Sequence, residues 1–282
     1  MTQIQWYPGH MAKAKKEIKN VLPLVDITIQ VVDARVPGTS LHHEFAKGFS
    51  TKPQLLVLNK KDLADPEATK QWLAYYENKG FGVIAINAKE KQGIKELLAK
   101  AQDLAEPTMQ ALEAKGRLRR PVRAMVVGAP NTGKSTLINA LLPRAIAKTA
   151  NKPGVTRGQQ WIRISDKIEL MDTPGILWPK LSSQSEGYKL ALVSCISSAV
   201  YNDEEAAHYL ISWLQEKHPN TLDKRYKIEA AGLDPQQVLE AIGKKRGLLA
   251  GAGEVRLPDV AALLLAEFRN GLLGAFTLDK LG

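Results

Sequence analysis

The sequence Gly128-Ala129-Pro130-Asn131-Thr132-Gly133-Lys134-Ser135 fits the pattern G-x-x-x-x-G-K-[ST], in which a glycine-rich turn cradles phosphate groups. Residues 122–127 before it are mostly apolar and β-branched, which predicts a strand, and residues 136–142 after it have helical composition. Glycines let backbone N–H groups approach oxygen closely, and a helix start adds unpaired donors and the positive end of its dipole. The stretch therefore predicts a phosphate site, the alternative being a chance glycine-rich turn before a helix.

The same pattern assigns contacts within the loop. Lys134 would reach the β- and γ-phosphates, and the Ser135 hydroxyl would bind Mg²⁺. The remaining nucleotide contacts that we predict here come from neighbouring loop and helix residues, namely Pro130, Asn131, Thr132, Gly133 and Thr136.

Length and composition are those of an ordinary globular chain. Its 282 residues are enough for one α/β domain and a smaller second one. No apolar run approaches the roughly 18 residues of a membrane span, and residues 1–10 lack the apolar core of a signal peptide. Cys195 is the only cysteine, and its apolar helical context predicts a buried thiol. We therefore expect a cytoplasmic protein without a membrane partner, and we expect a monomer.

The charge balance is strongly basic, with a formal net charge of +10 and a sequence pI of about 9.5. Such a balance suggests a polyanionic partner such as nucleic acid. The alternative is a set of solvated basic side chains that bind nothing. Charge alone does not separate the two interpretations.

Alternating strand and helix patterns predict a doubly wound α/β sheet, followed by a helical domain. Before the phosphate loop, strands are predicted at 27–32, 54–58 and 82–86, and helices at 66–78 and 93–105. Residues 106–121 are basic and broken by proline and glycine, so we interpret them as a connecting segment that is partly helical. A hairpin is predicted at 159–171, and only helices after 182, at about 186–197, 202–217, 234–247 and 258–271. We expect an arm at 1–20, an α/β domain at 21–180 and an all-α domain at 181–282.

Two motifs that follow strands predict recognition of guanine. The stretch Asn59-Lys60-Lys61-Asp62 has the form N-K-x-D, and a carboxylate at its fourth position can accept hydrogen bonds from the N1–H and the exocyclic amine of guanine. Adenine offers no such pair of donors, so it would leave a buried charge unsatisfied. Asn87-Ala88-Lys89 follows the next strand, and a small residue there lets a backbone N–H approach the guanine oxygen. Each motif by itself is also common in ordinary loops.

Two further motifs predict a response to the terminal phosphate. Asp172-Thr173-Pro174-Gly175 follows the hairpin, so Asp172 would hold Mg²⁺ through water and the Gly175 N–H would contact the γ-phosphate. Thr156 lies in the polar loop before it and would bind Mg²⁺ when triphosphate is present. Its alternative role is that of a solvated threonine.

The five motifs together predict a guanine-nucleotide switch, but their order is unusual. Ordinary GTPases begin with the phosphate loop and end with the two guanine motifs, which here come first. The sheet can still form because the ends of such a domain lie close together and can be joined. Residues 106–121 would be that join.

This order and these motifs resemble the circularly permuted GTPases of the ribosome biogenesis GTPase A (YlqF) family. The resemblance covers the whole chain and includes Trp6-Tyr7-Pro8-Gly9-His10-Met11-Ala12-Lys13-Ala14, Asp33-Ala34-Arg35 and the helical C-terminal region. It implies a GTPase that acts in late assembly of the large (50S) ribosomal subunit and contacts rRNA and ribosomal proteins. It also implies slow hydrolysis alone and stimulation by the subunit.

The catalytic group that positions water is the least obvious part of the site. Many GTPases place a glutamine after the glycine of the Asp-x-x-Gly motif, whereas this chain has Ile176, which cannot hydrogen-bond water. His10 lies in a Pro-Gly turn, and the resemblance points to it as the missing group, the alternative being a turn histidine that contacts RNA or nothing. In GTPases that the chain resembles, an asparagine at the place of Asn131 coordinates K⁺, the alternative being a purely structural role.

Two other classes of protein would share one of these sequence features but not the whole set. A small-molecule or nucleoside kinase would have the phosphate loop but would not need guanine recognition on a separate strand. A passive RNA-binding scaffold would have the basic charge but would not need Lys134, Ser135 and Asp172 together.

Overall fold

The computed structural model describes residues 16, 18–41, 52–142, 161–171 and 183–281. Within this part of the chain, residues 183–276 form one compact unit. The described residues up to 171, together with 277–281, form the other. Among the described residues, no helix combines the length and the apolar composition needed to cross a lipid bilayer.

The larger unit is built on one six-stranded sheet with the order β3-β2-β1-β4-β6-β5. The strands are β1 Ile27–Asp33, β2 Gln54–Asn59, β3 Gly82–Ala85, β4 Val122–Gly128, β5 Trp161–Arg163 and β6 Ile168–Met171. All neighbouring pairs are parallel except the antiparallel pair of β5 and β6, which is the predicted hairpin. The central strand β1 is buried along its whole length. The predicted parallel sheet is therefore confirmed, with one antiparallel edge strand.

Helices cover both faces of this sheet, as a doubly wound fold requires. Helix α1 Pro66–Asn78 covers one face, where Trp72 and Tyr76 lie against Val32 and Leu58. Helices α2 Ile94–Glu113 and α3 Lys134–Leu141 contribute to the apolar core on the other face. Apolar residues alternate between the two cores along β1, which fits a strand with both faces buried.

Helix α2 is longer than its sequence predicts. The expected end was near residue 105, with a connecting segment from 106, but the helix continues through Pro107 to Glu113. The residues Ala101, Ala105 and Met109 are buried at intervals of four, so the face that contacts the core extends beyond the proline. This burial outweighs the loss of one backbone donor at Pro107.

The smaller unit consists of helices with clear start signals. They are α4 Gln184–Leu192, α5 Asp203–Lys217, α6 Thr221–Tyr226, α7 Pro235–Arg246 and α8 Leu257–Arg269. The Asn202 side chain accepts from the N–H groups of Glu204 and Glu205 and so caps α5, as predicted. Asp234 caps α7 in the same way, and Gly247 ends it in a left-handed conformation.

Among the helices predicted after residue 182, the one expected over residues 186–197 differs most from the structure. In the structure α4 ends at Leu192, and Cys195 lies in the turn that follows. Ser194 in this turn has a positive φ of 61°, which breaks the helix. The predicted burial of Cys195 is confirmed, because its side chain is fully inaccessible.

The last residues of the chain return to the sheet unit, which the sequence did not predict. The Leu278 N–H donates to the carbonyl of Arg35 at 2.7 Å. The Asp279 carboxylate accepts from both the backbone N–H and the hydroxyl of Thr39, each at 2.7 Å. Residues 277–281 therefore belong to the sheet unit, whereas the sequence assigned them to the helical domain.

Candidate nucleotide-binding site

The carboxyl ends of three neighbouring parallel strands form the candidate site. In the register of the sheet Asp33 at the end of β1 lies beside Asn59 at the end of β2, and Val31 lies beside Gly128 at the end of β4. Ligands of open α/β sheets bind outside this edge. The strand order thus brings the guanine motif and the phosphate loop together, although the two are far apart in sequence.

Two glycines of the phosphate loop are required by the close approach of neighbouring groups. A Cβ at Gly128 would lie 2.3 Å from the Val31 carbonyl, and a Cβ at Gly133 would lie 2.2 Å from the Asn59 side-chain nitrogen. Gly133 also has a φ of 96° and stands immediately before α3. No larger residue fits at either position, so the pattern's two glycines have a direct steric reason here.

Side chains of the phosphate loop either shape the turn from within or are exposed at the start of the following helix. Thr132 is fully buried and its hydroxyl donates to the Ala129 carbonyl at 2.9 Å, which shapes the turn. The Lys134 ammonium donates to the same carbonyl at 2.7 Å. The side chains of Asn131, Ser135 and Thr136 are exposed at the start of α3, where backbone donors accumulate. This geometry suits an anionic ligand.

Asn59 connects the guanine motif to both neighbouring loops. Its side-chain nitrogen donates to the Thr132 carbonyl at 2.9 Å, and its side-chain oxygen accepts from the Ala88 N–H at 3.0 Å. The residue is 2% exposed, so both bonds form away from water. Asn59 therefore holds the phosphate loop and the loop that contains Ala88 at fixed positions.

Lys60 makes a second connection to the phosphate loop. Its backbone is left-handed, with a φ of 61°, and its ammonium donates to the Asn131 carbonyl at 2.7 Å. The same ammonium lies 2.8 Å from a carboxylate oxygen of Asp33. The Lys60 ammonium therefore connects the guanine motif to the phosphate loop and to Asp33.

Asp33 is a buried charge that belongs to none of the five nucleotide motifs. Arg35 donates to its two oxygens at 2.9 and 2.8 Å. Burial alone would raise the pKa of the Asp33 carboxyl, but the charges and hydrogen bonds of Arg35 and Lys60 hold it well below its usual range. The available signal was a carboxylate at the end of a buried strand next to the strand of Asn59.

Asp62, the predicted reader of guanine, has an open carboxylate. It lies in a short 3-10 turn, Lys61–Leu63, directly after Lys60, and its side chain is exposed. Within the part of the chain that the structure describes, this carboxylate forms no hydrogen bond or ion pair. It is therefore available to accept two hydrogen bonds from a base.

The loop of Asn87 and Ala88 packs against the guanine motif. The Ala88 N–H donates to the side-chain oxygen of Asn59. Asn87 is buried, forms an isolated bridge with Gln92, and its side chain accepts from the Glu90 N–H. The loop thus supports Asn59, and its contact with guanine stays a prediction.

Four predicted site residues, His10, Thr156, Asp172 and Gly175, lie outside the described residues. Of the predicted Mg²⁺ ligands, Ser135 alone falls within them. Its exposed hydroxyl stands at the second position of α3, beside Lys134, as a ligand of phosphate-bound Mg²⁺ would. Among the described residues there is no group of three or more His, Cys, Asp or Glu side chains that could hold a metal by themselves.

The helical unit carries a basic cluster that one carboxylate organises. Glu267 of α8 is buried, and it binds Arg225 at the end of α6 and Arg246 at the end of α7. Tyr226 also donates to it, at 2.9 Å. The neighbouring lysines of these two helix ends are exposed, namely Lys224, Lys227, Lys244 and Lys245. The two arginines of this cluster therefore form ion pairs within the helical unit, and the exposed positive charge of the cluster comes mainly from its lysines.

A phosphate loop after β4 that is held by the side chains of an Asn-Lys-x-Asp turn after β2 defines a P-loop GTPase, here with the guanine motif first in sequence. A family model described as "50S ribosome-binding GTPase" matches residues 123–237. Ribosome biogenesis GTPase A of Priestia megaterium is 42% identical over 98% of this chain and 96% of its own length. The chain belongs to the ribosome biogenesis GTPase A family.

Further comparisons agree with this assignment. Ribosome biogenesis GTPase A of Bacillus cereus is 43% identical over 98% of this chain and 93% of its own length. Two solved structures are similar to the fold: GDP-bound YlqF, with a TM-score of 0.67 and 27% identity, and GNP-bound YlqF from T. maritima, with 0.66 and 28%. They cover 94% and 95% of this chain, and 98% of each solved chain is covered. The predicted fold class, the GTPase class and the role in ribosome biogenesis are confirmed.

Proposed function

We propose that this chain is a GTP-hydrolysing switch in the assembly of the large ribosomal subunit, slow alone and stimulated by the subunit. The observation that supports the switch most directly is the pair of contacts from Asn59 and Lys60 to the phosphate loop. A nucleoside kinase does not need a guanine turn fastened to its phosphate loop. Family membership supports the ribosomal partner. We further propose that the protein works as a monomer in the cytoplasm.

Within this function, six of the predicted site residues have distinct roles toward the nucleotide and its Mg²⁺. Lys134 neutralises the β- and γ-phosphates, and Asp62 reads guanine. Ser135, Thr156 and Asp172 would hold Mg²⁺, which supplies charge neutralisation at the transferring phosphoryl group. Gly175 would sense the γ-phosphate through its backbone N–H.

The domain arrangement is part of the proposal. An arm at 1–20 would carry His10, residues 21–180 together with the returning residues 277–281 would form the GTPase domain, and the helical residues up to 276 would form the ribosome-binding domain. The exposed lysines at the ends of α6 and α7 would bind rRNA phosphates, because Glu267 engages the neighbouring arginines and orders these helix ends. Since phosphate contacts release counterions, we expect subunit affinity to fall as salt rises.

Hydrolysis on the subunit should depend on His10. We expect large subunits to stimulate GTP turnover by the wild type and the His10→Ala variant to lose most of that stimulation. A neutral imidazole can orient the attacking water, which Ile176 cannot do. Intrinsic turnover, nucleotide affinity and subunit binding should change little. The measurement is phosphate release with and without subunits.

His10→Gln supplies the matched control, because a glutamine amide can also accept a hydrogen bond from water and should restore part of the stimulation. Full stimulation of His10→Ala would rule out this role for His10. No stimulation of the wild type by subunits would refute the subunit-dependent part of the proposed function.

We propose that the Asn131 side chain contributes to a K⁺ site, so turnover should be faster in K⁺ than in Na⁺ at equal ionic strength. A cation there would neutralise charge in the transition state. The structural alternative is concrete: Asn131 has a φ of 55°, which asparagine tolerates well. Asn131→Gly keeps this backbone conformation and removes the amide, so it should bind nucleotide normally but lose the difference between the salts. Equal wild-type rates in both salts would leave Asn131 with the structural role.

A further inference from the structure

Asp33 is a fully buried carboxylate between two cations that serve different parts of the fold. The guanidinium of Arg35, two residues away, donates to both of its oxygens. The Arg35 backbone N–H also donates to the Asp33 carboxylate, at 3.1 Å. Lys60, which belongs to the guanine motif, approaches one of these oxygens to 2.8 Å. Arg35 thus neutralises Asp33 locally, whereas Lys60 connects it to the nucleotide site.

The contact with Lys60 is the one that bears on function. Lys60 has a flexible four-carbon stem, and the same ammonium that reaches Asp33 donates to the Asn131 carbonyl of the phosphate loop. Two acceptors at 2.7 and 2.8 Å fix the position of the ammonium, whereas one acceptor would leave several rotamers open. A lysine ordered before the ligand arrives reduces the entropic cost of binding.

We propose that Asp33 is a positioning residue for nucleotide binding, which acts by holding the Lys60 ammonium against the carbonyl of Asn131. The guanine turn and the phosphate loop are thereby connected before a nucleotide enters. Asn59 holds the same two segments together through its neutral amide, and Asp33 adds a charged connection through Lys60. The inference rests on the proposed function, in which the guanine turn and the phosphate loop bind GTP and GDP.

The alternative is that Asp33 only stabilises the loop after β1, where its backbone N–H donates to the hydroxyl of Ser40. A double-mutant cycle separates the two roles, because residues that act through one interaction are not additive. We would measure GDP affinity by fluorescence titration for the wild type, Asp33→Asn, Lys60→Met and the double variant. Asp33→Asn keeps the size of the side chain and should weaken GDP by about tenfold, the scale of one lost charge-assisted bond.

In the Lys60→Met background, Asp33→Asn should weaken GDP by less than about threefold, because the residue through which it acts is already gone. A purely structural role would give the same factor in both backgrounds, and that result would overturn the proposal. Should Asp33→Asn fail to fold, Asp33→Glu serves the same cycle, since it keeps the charge but displaces the carboxylate by one methylene. Failure of the wild type to bind GDP would instead refute the proposed function.

Asp26 gives a matched control at the other end of the same strand. It is also buried, and Arg120 donates to its two oxygens at 2.6 and 3.0 Å. It lies immediately before β1, whereas Asp33 ends that strand, and the hydrogen bonds of Asp26 within the described residues are to Arg120 and Arg123, outside the proposed site. We expect Asp26→Asn to lower the thermal midpoint and leave GDP affinity unchanged. A loss of GDP affinity equal to that of Asp33→Asn would show that any damage to this strand weakens binding, and would also overturn the proposal.

Discussion

Changing Asp62 to asparagine is expected to weaken GTP binding by at least about a hundredfold and to create binding of xanthosine triphosphate. The carboxylate accepts from the N1–H and the exocyclic amine of guanine, and an amide replaces one acceptor with a donor. Xanthine carries a carbonyl where guanine carries the amine, so it matches the new donor. The structure favours this outcome because the Asp62 side chain is exposed beside the ordered Lys60.

The measurement is the ratio of GTP to xanthosine triphosphate affinity for the wild type and the variant. Asp65→Asn is the matched control, since Asp65 stands three residues further along and caps α1 by accepting from the Ala68 N–H at 2.7 Å. Asparagine caps helices as well as aspartate does, so this control should change neither selectivity nor stability appreciably. Unchanged GTP affinity in Asp62→Asn would refute the guanine pocket.

Changing Lys134 to alanine is expected to remove nucleotide binding almost completely while the fold stays intact. Lys134 stands at the first position of α3, where a positive charge opposes the helix dipole. This unfavourable interaction offsets the hydrogen bond from its ammonium to the Ala129 carbonyl, so we expect the lysine to contribute little to stability and mainly to phosphate binding. We expect circular dichroism to stay native-like, with a thermal midpoint equal to that of the wild type or slightly higher.

Lys95→Ala is a closely matched control for this variant. Lys95 is exposed in the first turn of α2, which also follows a strand and also begins after a glycine with a positive φ, Gly93. It should bind GDP and GTP as the wild type does, because no phosphate site is predicted there. Full GTP binding by Lys134→Ala would contradict the phosphate site itself.

Much of the fold follows from local signals in the sequence. The buried strand β2 contains a continuous apolar run, and helix starts such as Asn202 and Asp234 carry side chains that accept from the backbone N–H groups that follow them. These signals act over a few residues, so they can be read without knowing the rest of the chain. Helix ends were less predictable, because α2 continues past Pro107 for the sake of burial further along.

The candidate site was predictable as a set of motifs but not as a network. The motifs name Asn59, Lys60, Lys134 and Asp62 through their spacing within each loop. The bonds that join the loops connect residues 73 and 71 positions apart, and no pattern of spacing reports them. Spacing does not reveal Asp33 as part of the site either, because its partner Lys60 directly follows the neighbouring strand β2 and is distant in sequence.

The class of ligand can be inferred from local motifs of the chain. Phosphate binding needs glycines and a lysine at the spacing of the phosphate loop, and guanine recognition needs a carboxylate whose oxygens accept from the N1–H and the exocyclic amine. The sequence also determined that the guanine motif precedes the phosphate loop. The tertiary structure alone decided that Ala88 supports Asn59, that Asp33 holds Lys60, and that the final residues return to Arg35 and Thr39. Strand order sets these contacts, and strand order follows from the burial of the whole sheet rather than from any local stretch.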